Sequence, residues 1–248
     1  MDVVIEQYFD VGLMRDEFGF VLDGFLETLQ LSLVSGVLAL AWGLVLALVR
    51  QLPGRPLAPV RALTVAYIDV LRGVPLLLVV LIISGSLPFV AEGLGLPRSI
   101  GIPQWLGKPD PFWYGVMAIT LTYGAYMAEV YRAGIESVPR GQMEAARALG
   151  MSHALAMRHV IVPQAVRRVV PPLLNDFIAL MKDTSLVGVI AFLEVVEAGR
   201  TVQAETLNSS ALTLGALMFL VVTLPLARIV DHFIARDQAR FQRGMAPA

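Results

Sequence analysis

The chain reads EAARALGMSHALAMRHVIVP from Glu144 to Pro163, and this polar stretch in a very apolar sequence guides the interpretation of the rest. Residues 140–149 are good helix formers. Gly150 stands where a helix would end, because glycine tolerates the left-handed conformation. Ser152 can cap a second short helix that runs to Pro163. The pattern predicts two short amphipathic helices set at an angle, small enough to fit a groove on a partner.

The residues in and before the first of these helices indicate where it begins and which of its charges can pair. Ser137 can accept a hydrogen bond from free backbone N–H groups, and Pro139 suits a first turn. Arg140, Glu144 and Arg147 are spaced to pair along one helix face. Two roles for Glu144 stay open: an ion pair with these arginines, or contact with a positive group on a partner.

The composition indicates a membrane protein. The 248 residues are 56% hydrophobic and 16% charged, with a mean hydropathy of +0.70, whereas soluble domains contain about 25% charged residues. The net charge of −1 gives no reason to expect a nucleic acid partner. The absence of cysteine excludes disulfides, thiol nucleophiles and cysteine-bound metals. The acidic N-terminus lacks the basic start of a cleaved signal peptide.

Apolar runs predict an all-α protein, one transmembrane domain of residues 1–248, with about five spans. The first run, Thr28 to Val49, is uncharged and long enough for a hydrocarbon core of roughly 30 Å. Pro75 would kink the second span, and the fourth reads as a long or broken helix with polar groups at membrane depth. Residues 1–27 form an acidic external lead-in that can lie along the membrane surface. The spans are residues 28–50, 62–91, 111–136, 166–198 and 206–234.

Basic residues predict the orientation of these spans, because short cytoplasmic loops are enriched in lysine and arginine. One set of connecting segments holds eleven: Arg50, Arg55, Arg61, Arg140, Arg147, Arg158, Arg167, Arg168, Arg236, Arg240 and Arg243. The other set holds four: Arg15, Arg98, Lys108 and Arg200. The first set should face the cytoplasm. The N-terminus is then outside, the C-terminus inside, and the loop of residues 138–165 cytoplasmic. Trp105 marks the external interfacial loop.

Several motifs resemble one family of transporters. The pattern Glu144-Ala145-Ala146, three residues, Gly150, nine residues, Val160, two residues, Pro163 resembles the "EAA" loop of ABC-importer permease subunits. Val160 and Val162 replace the usual Ile and Leu, which are of similar size. Further blocks are similar to the polar amino-acid uptake branch, and the resemblance covers about residues 24–236. These blocks are RGVPLL at 72–77, GAYMAE at 124–129, GQ at 141–142 and KDTSL at 182–186.

This resemblance implies a type I ABC-importer permease fold with cytoplasmic coupling helices, in a bacterial or archaeal plasma membrane. It implies a cytoplasmic ABC ATPase dimer, a second copy or a paralogous permease, an external solute-binding protein and an amino-acid substrate as partners. ATP and Mg²⁺ would sit on the ATPase, since no GxxxxGK[ST] motif occurs here. We therefore expect no cofactor, metal or catalytic residue in this chain. The implied ATPase-coupling residues are Gly141, Glu144, Ala145, Ala146, Gly150 and Pro163.

Polar groups inside the spans are candidates for a translocation path, because a charge at a helix centre costs roughly 2.5–3.5 kcal/mol on insertion scales. The alternative is structural: Asp176 or Asp183 would pair with Lys182 or Arg132 and fix the packing. Asp69–Arg72 and Glu129–Arg132 are spaced for simple inner-end pairs. The path candidates are Glu129, Asn175, Asp176, Lys182, Asp183, Thr184 and Ser185.

The sequence thus predicts the permease subunit of an ATP-driven importer that forms the membrane pathway for a polar amino acid. It would be a transport subunit and not an enzyme. Two other classes remain: a secondary transporter driven by ions through Asp176, Lys182 and Asp183, and a membrane scaffold that transports nothing.

Overall fold

The computed structural model describes residues 2–95 and 107–244, with side chains for 3–95 and 107–235. Within these ranges the chain forms helices and turns and no strand. Some residues used in the sequence analysis lie outside the described part. They are Arg98 and Trp105, and the side chains of Arg236, Arg240 and Arg243.

The first half of the chain contains α3 and α6, the two helices that pack most extensively on each other. The helices, in order, are α1 Asp2–Tyr8, α2 Val11–Asp16, α3 Phe18–Arg50, α4 Ala58–Gly73, α5 Leu76–Gly93 and α6 Asp110–Glu136.

The second half begins with the polar stretch from which the sequence analysis started. Its helices are α7 Arg140–Ala148, α8 His153–Ala156, a π-helical turn Met157–Ile161, α9 Val162–Asp183, a 3₁₀ turn Thr184–Ile190, α10 Val195–Thr206 and α11 Ser210–Gly244.

The first long helix begins well before the apolar run that predicts it. α3 starts at Phe18, whereas the hydropathy pattern places the span from residue 28. Val21 and Phe25, in the first turns of α3, are buried and pack in one cluster with Val195 of α10. Tertiary packing therefore keeps the end of the acidic lead-in helical, which a hydropathy window does not detect.

The second predicted span is broken into two helices. α4 ends at Gly73 and α5 begins at Leu76, and Val74 between them has extended backbone angles, φ −99° and ψ 131°. A residue before proline is disfavoured in the helical region by the proline ring, and Pro75 follows Val74. The single helix kinked at Pro75 that the sequence predicts is therefore wrong.

The helix predicted to stop at Pro163 does not stop there. Residues 153–190 are helical without interruption, through the π-helical turn, α9 and the 3₁₀ turn. Pro163 lies in the first turn of α9, directly after the π-helical turn Met157–Ile161, where the regular hydrogen-bond ladder of the α-helix is already interrupted. The run ends at Ala191, which has a left-handed backbone with φ 60°. The fourth predicted span, 166–198, thus covers parts of three elements.

The centre of the bundle is the contact between α3 and α6, which glycines make close. A Cβ added to Gly43 would lie 2.8 Å from the carbonyl oxygen of Gly124. Trp42 donates from Nε1 to the Tyr67 hydroxyl at 2.9 Å, and that hydroxyl donates to the Leu121 carbonyl at 2.9 Å. These bonds join α3, α4 and α6 into one unit.

Three helices of the described chain are long and apolar enough to cross a membrane: Phe18–Arg50, Leu76–Gly93 and Ser210–Ala235. α6 and α9 have 27 and 22 residues and are also long enough, at 1.5 Å per residue, for most of a bilayer core. Both contain more charged residues, and they pack on each other and on α3. The two helices with more charged residues, α6 and α9, therefore lie toward the interior of the bundle.

Candidate functional site

A cavity of about 490 Å³ lies where α4 breaks into α5. The middle of α6 forms a second wall, and the last turns of α9 form a third. Its volume is in the range of small-molecule sites, roughly 300–1,000 Å³. The lining residues are Arg72, Gly73, Val74, Pro75, Leu76, Thr122, Tyr123, Tyr126, Asp176, Ala179 and Asp183.

The α6 and α9 walls of this cavity offer polar atoms that have few partners. The Tyr123 hydroxyl donates to Oδ2 of Asp183 at 2.8 Å. Oδ2 of Asp176 and Oγ1 of Thr122 are buried and have no hydrogen-bond partner in the described structure, and Thr122 is only 2% exposed. A buried polar atom without a partner costs about 1–3 kcal/mol. These two oxygens belong to residues of the cavity wall but are themselves closed to solvent, so the polar atom that is paired across the wall is the Asp183 carboxylate.

Arg72 is a cavity residue that the sequence analysis considered only as a possible partner of Asp69. Its guanidinium lies over the ring of Tyr126, 5.8 Å from the centroid, and the Tyr126 hydroxyl donates to the Arg72 carbonyl at 3.3 Å. The described structure contains no ion pair between Asp69 and Arg72 or between Arg72 and any other carboxylate. The predicted inner-end pair is wrong, because Arg72 packs against α6 at the level of its middle turns.

Glu129 lies outside the cavity, in a cluster where α3 ends. Its carboxylate pairs with Arg50 of α3 and accepts two hydrogen bonds from Arg132, at 2.7 and 2.9 Å. Arg132 also pairs with Glu136. The Glu129–Arg132 pair expected from spacing is present, and a third residue joins it. The Glu129 carboxylate therefore binds Arg50 and Arg132 and does not line the cavity.

The other candidates of α9 and the following turn do not line the cavity either. Asn175 and Lys182 are on the exposed face of α9. Thr184 is buried and donates to the Met181 carbonyl at 2.7 Å. Ser185 donates to the Lys182 carbonyl at 2.8 Å. Of the seven residues predicted to line the path, Asp176 and Asp183 line the cavity.

The structural alternative for these two carboxylates has no support in the described chain. Neither Asp176 nor Asp183 forms an ion pair with Lys182 or Arg132 among the described residues. A metal site has no support there either, since the described part holds no group of three His, Cys, Asp or Glu side chains suited to a metal ion.

The predicted turn between the two short helices is confirmed. Gly150 has φ +84°, and a Cβ added there would meet no atom within 4 Å. Oγ of Ser152 accepts from the Leu155 N–H at 3.2 Å, which confirms the predicted cap. The predicted cap by Ser137 is wrong. Ser137 follows the last turn of α6 and donates to the Gly134 carbonyl at 2.7 Å, and no side chain caps the start of α7.

The base of this loop is packed against the ends of α6 and α9. Val138, Ile161 and Ala165 form a buried cluster, and Arg168 of α9 donates to the carbonyl of Ser137. Ala146 is buried as well. Side chains that complete the packing of the cluster are Ile135, Met143, Met157 and Val160. The loop is thus fixed to the long helices at its base.

The tip of the loop points away from the rest of the chain. Leu149 is 84% exposed, and Gly141, Ala145 and Pro163 are exposed too. Glu144 is exposed and forms no ion pair with either neighbouring arginine in the described structure. Leu149 and Glu144 thus leave the loop with one exposed apolar and one exposed acidic side chain.

Comparison with known proteins identifies the family. Residues 33–236 match the family described as binding-protein-dependent transport system inner membrane component. The chain belongs to this family. The permease is 36% identical over 233 residues to the "Probable glutamine ABC transporter permease protein" of Bacillus subtilis, covering 92% of this chain and 97% of that relative. It is 31% identical over 230 residues to the glutamate/aspartate import permease protein of Escherichia coli, covering 92% and 98%.

Solved structures show the same fold. The crystal structure of an amino acid ABC transporter with histidines superposes with a TM-score of 0.74 at 32% identity, over 90% of the permease and 96% of that chain. An inward-facing methionine ABC transporter superposes with a TM-score of 0.64 at 19% identity, which supports the fold alone. The permease is therefore an all-helical transmembrane subunit of an ABC importer, and the ATPase is a separate chain.

Proposed function

We propose that this permease forms the membrane pathway for a polar amino acid in an ATP-driven importer. Its relatives are permease proteins named for glutamine, arginine and glutamate/aspartate import. A binding protein on the outer face would deliver the amino acid, and an ATPase dimer on the inner face would drive transport. A second permease chain completes the pathway, because one bundle of five helices gives only part of a wall.

The observation that carries this proposal is the loop of α7 and α8, with a buried base and an exposed tip. Val138, Ile161 and Ala165 anchor it to α6 and α9. Leu149 and the unpaired carboxylate of Glu144 extend from it. A rigid base transmits displacement, and an exposed tip offers apolar and acidic contacts to a groove. The loop is thus suited to dock the ATPase and to follow its closure on ATP.

The cavity between α4, α6 and α9 supplies the pathway in this proposal. Asp176 and Asp183 place carboxylates in its wall, and Arg72 places a cation there. Charged side chains at membrane depth are costly when they face lipid, so they favour a water-filled route. Alternating access would then open this cavity first to one side of the membrane and then to the other.

The orientation follows from the distribution of basic residues, with the N-terminus outside and the loop of residues 138–165 in the cytoplasm. In this arrangement the ATPase and the loop tip are on the same side of the membrane. The chain would lie in a bacterial or archaeal plasma membrane and would bind neither ATP nor Mg²⁺ itself.

Reconstitution tests the proposal. The permease, the ATPase and the binding protein from its own gene neighbourhood are placed in proteoliposomes, and uptake of L-glutamine, L-arginine and L-glutamate is measured. Uptake should require ATP and stop with vanadate. Uptake that survives vanadate but stops with an uncoupler would instead support a secondary transporter. No uptake of any solute, with a normally assembled complex, would support a scaffold.

A further inference from the structure

Two polar side chains near the start of α9 contact the short segment that joins α6 to α7. Arg168 donates to the carbonyl of Ser137, the residue that follows the last helical residue of α6. Nε2 of Gln164 lies 3.3 Å from Oε1 of Gln142, in the first turn of α7, and donates to it. Gln164 and Arg168 are four residues apart, so they lie on one face of α9. α9 thus contacts both ends of the connection between α6 and α7.

The connection between α6 and α7 depends on such contacts because it is not helical. Residues 137–139 lie between the two helices, and Pro139 has extended backbone angles, φ −57° and ψ 133°. The last carbonyls of a helix have no intrahelical donor, and the negative end of the helix dipole favours a cation. Arg168 supplies a donor and a positive charge at the end of α6. Without these contacts, rotation about the backbone of the connection could absorb a displacement of α7.

The same part of α9 also packs closely on the last turns of α6. A Cβ added to Gly134 would lie 3.5 Å from the carbonyl oxygen of Ala165 and would overlap the side chain of Val169. Val138, in the middle of the connection, is buried in one cluster with Ala165. The start of α9, the end of α6 and the connection therefore form one packed unit, to which Gln164 adds a contact with α7.

We propose that Gln164 and Arg168 are positioning residues that couple the α7–α8 loop to the transmembrane helices. The inference rests on the proposed function and adds to it the side chains that transmit the displacement. When the ATPase displaces α7, the contacts with Gln142 and Ser137 make the start of α9 follow. When the contacts are removed, α7 turns about the connection, and ATP is hydrolysed without a matching movement of α6 and α9.

Arg167, the neighbour of Arg168, has different surroundings. The sequence analysis used both arginines only as basic residues of a cytoplasmic segment. In the structure Arg167 is exposed and forms no ion pair with any described residue, whereas Arg168 reaches the end of α6. Arg167 therefore provides a matched control, with the same side chain at the next position of the same helix.

The amount of amino acid taken up per ATP hydrolysed measures the proposed role. Permease, ATPase and loaded binding protein are combined in proteoliposomes, with whichever of L-glutamine, L-arginine and L-glutamate the wild type takes up fastest. Arg168→Met removes the donors and keeps most of the side chain, and it should lower uptake per ATP at least fivefold. Arg167→Met should keep the wild-type ratio. Arg168→Lys should restore at least half of it, because an ammonium group can donate to the same carbonyl. Gln164→Ala should lower the ratio at least twofold.

A purely structural role of Arg168 leads to a different result. Arg168→Met should retain the ATPase on co-purification and hydrolyse ATP near the basal wild-type rate, because Glu144 and Leu149 at the loop tip are unchanged. Loss of the ATPase or of yield, with a wild-type ratio in the complexes that do assemble, would show that the contact is structural and would overturn the inference.

The remaining outcomes separate the inference from the function on which it rests. If no Arg168→Met complex assembles, Gln164→Ala decides, and a wild-type ratio in that variant contradicts the inference. A wild-type complex without ATP-dependent uptake contradicts the proposed function. Coupled uptake by the wild type, together with an unchanged ratio in Arg168→Met, contradicts the inference and leaves the proposed function standing.

Discussion

Tyr123 of α6 and Asp183 of α9 are joined by a hydrogen bond of 2.8 Å across the cavity wall. The bond links residues 60 positions apart in the sequence. It lies at the end of α9, directly before the 3₁₀ turn. A hydrogen bond to a charged group contributes about 1.5–3 kcal/mol. This contact therefore fixes the position of the carboxylate relative to the middle of α6.

Replacing Tyr123 by Phe removes this hydrogen bond and keeps the ring. We expect amino-acid uptake in proteoliposomes to fall several-fold, because Asp183 loses its fixed position, while the amount of permease in the membrane stays near wild type. Tyr131→Phe is the control, since its hydroxyl makes a longer bond of 3.4 Å to the Leu40 carbonyl, away from the cavity. Equal uptake by the two variants would refute a role for the Tyr123–Asp183 contact in transport.

Asp176→Asn should reduce uptake at least tenfold and leave assembly and basal ATP hydrolysis near normal. The reason is that Asp176 has no ion-pair partner in the described chain whose loss would destabilise the fold. Breaking a buried pair would instead cost about 3–5 kcal/mol and lower the yield. Asn175→Ala, at the neighbouring exposed position, is the control and should transport normally. Normal uptake by Asp176→Asn would remove this residue from the path.

Gly150→Val should weaken the hold of the permease on the ATPase. A residue with a side chain at the φ of +84° is destabilised by roughly 1–2 kcal/mol. An added side chain would meet no atom of this chain near Gly150, so the expected effect comes from backbone strain and not from a clash within the chain. Gly150→Asn should be milder, because Asn tolerates the left-handed region better than β-branched residues do. Co-purification of the ATPase with each variant measures the effect. Full retention by Gly150→Val, with normal uptake, would show that the loop does not couple the two chains.

Gly134→Ala should destabilise the contact between α6 and α9. A Cβ at Gly134 would overlap the side chain of Val169, and overpacking typically costs about 1–3 kcal/mol. Thermal unfolding in detergent should therefore begin at a lower temperature. Adding Val169→Ala makes room and should restore much of the loss. Gly141→Ala, where an added Cβ meets nothing within 4 Å, is the control. A double variant no more stable than Gly134→Ala alone would contradict this packing explanation.

Single cysteines test the orientation, since the chain has none of its own. Ser152→Cys in the α7–α8 loop should react in intact cells with a membrane-permeant thiol reagent and not with an impermeant one. Glu205→Cys, at an exposed position of α10, should react with both. Labelling of position 152 by the impermeant reagent would reverse the predicted orientation.

Local signals in the sequence predicted local structure well. Gly150 and Ser152 were identified from the preferences of helix ends, and the structure confirms the turn and the cap. The break at Pro75 was predicted only as a kink. Gly73 and Val74 before Pro75 and Leu76 after it belong to one uncharged run, so hydropathy contains no signal of the interruption, and only the restriction on Val74 indicates it.

Contacts between distant residues explain what the sequence did not reveal. The pairing of Asp69 with Arg72 was inferred from their spacing, yet Arg72 lies over Tyr126, 54 residues away. Glu129 was a path candidate because it is an acid within a span, but Arg50 from α3 pairs with it. Spacing along one helix cannot show which side chains of a neighbouring helix will contact its residues. Asp176 and Asp183, two of the path candidates, line the cavity, and their role in transport stays a prediction.

The helical run of residues 153–190 joins the loop and the cavity wall in one continuous segment of backbone. Pro171 and Pro172 lie inside α9, and a proline within a helix removes a hydrogen bond and favours a bend. The segment can therefore bend between Ser152 at one end and Asp183 near the other. If the ATPase and a ligand in the cavity each favour one bend of this segment, thermodynamic linkage makes the two effects equal: the factor by which the docked ATPase changes ligand affinity is the factor by which ligand changes affinity for the ATPase. An affinity measured at one end of the segment would then report the energetics of the other.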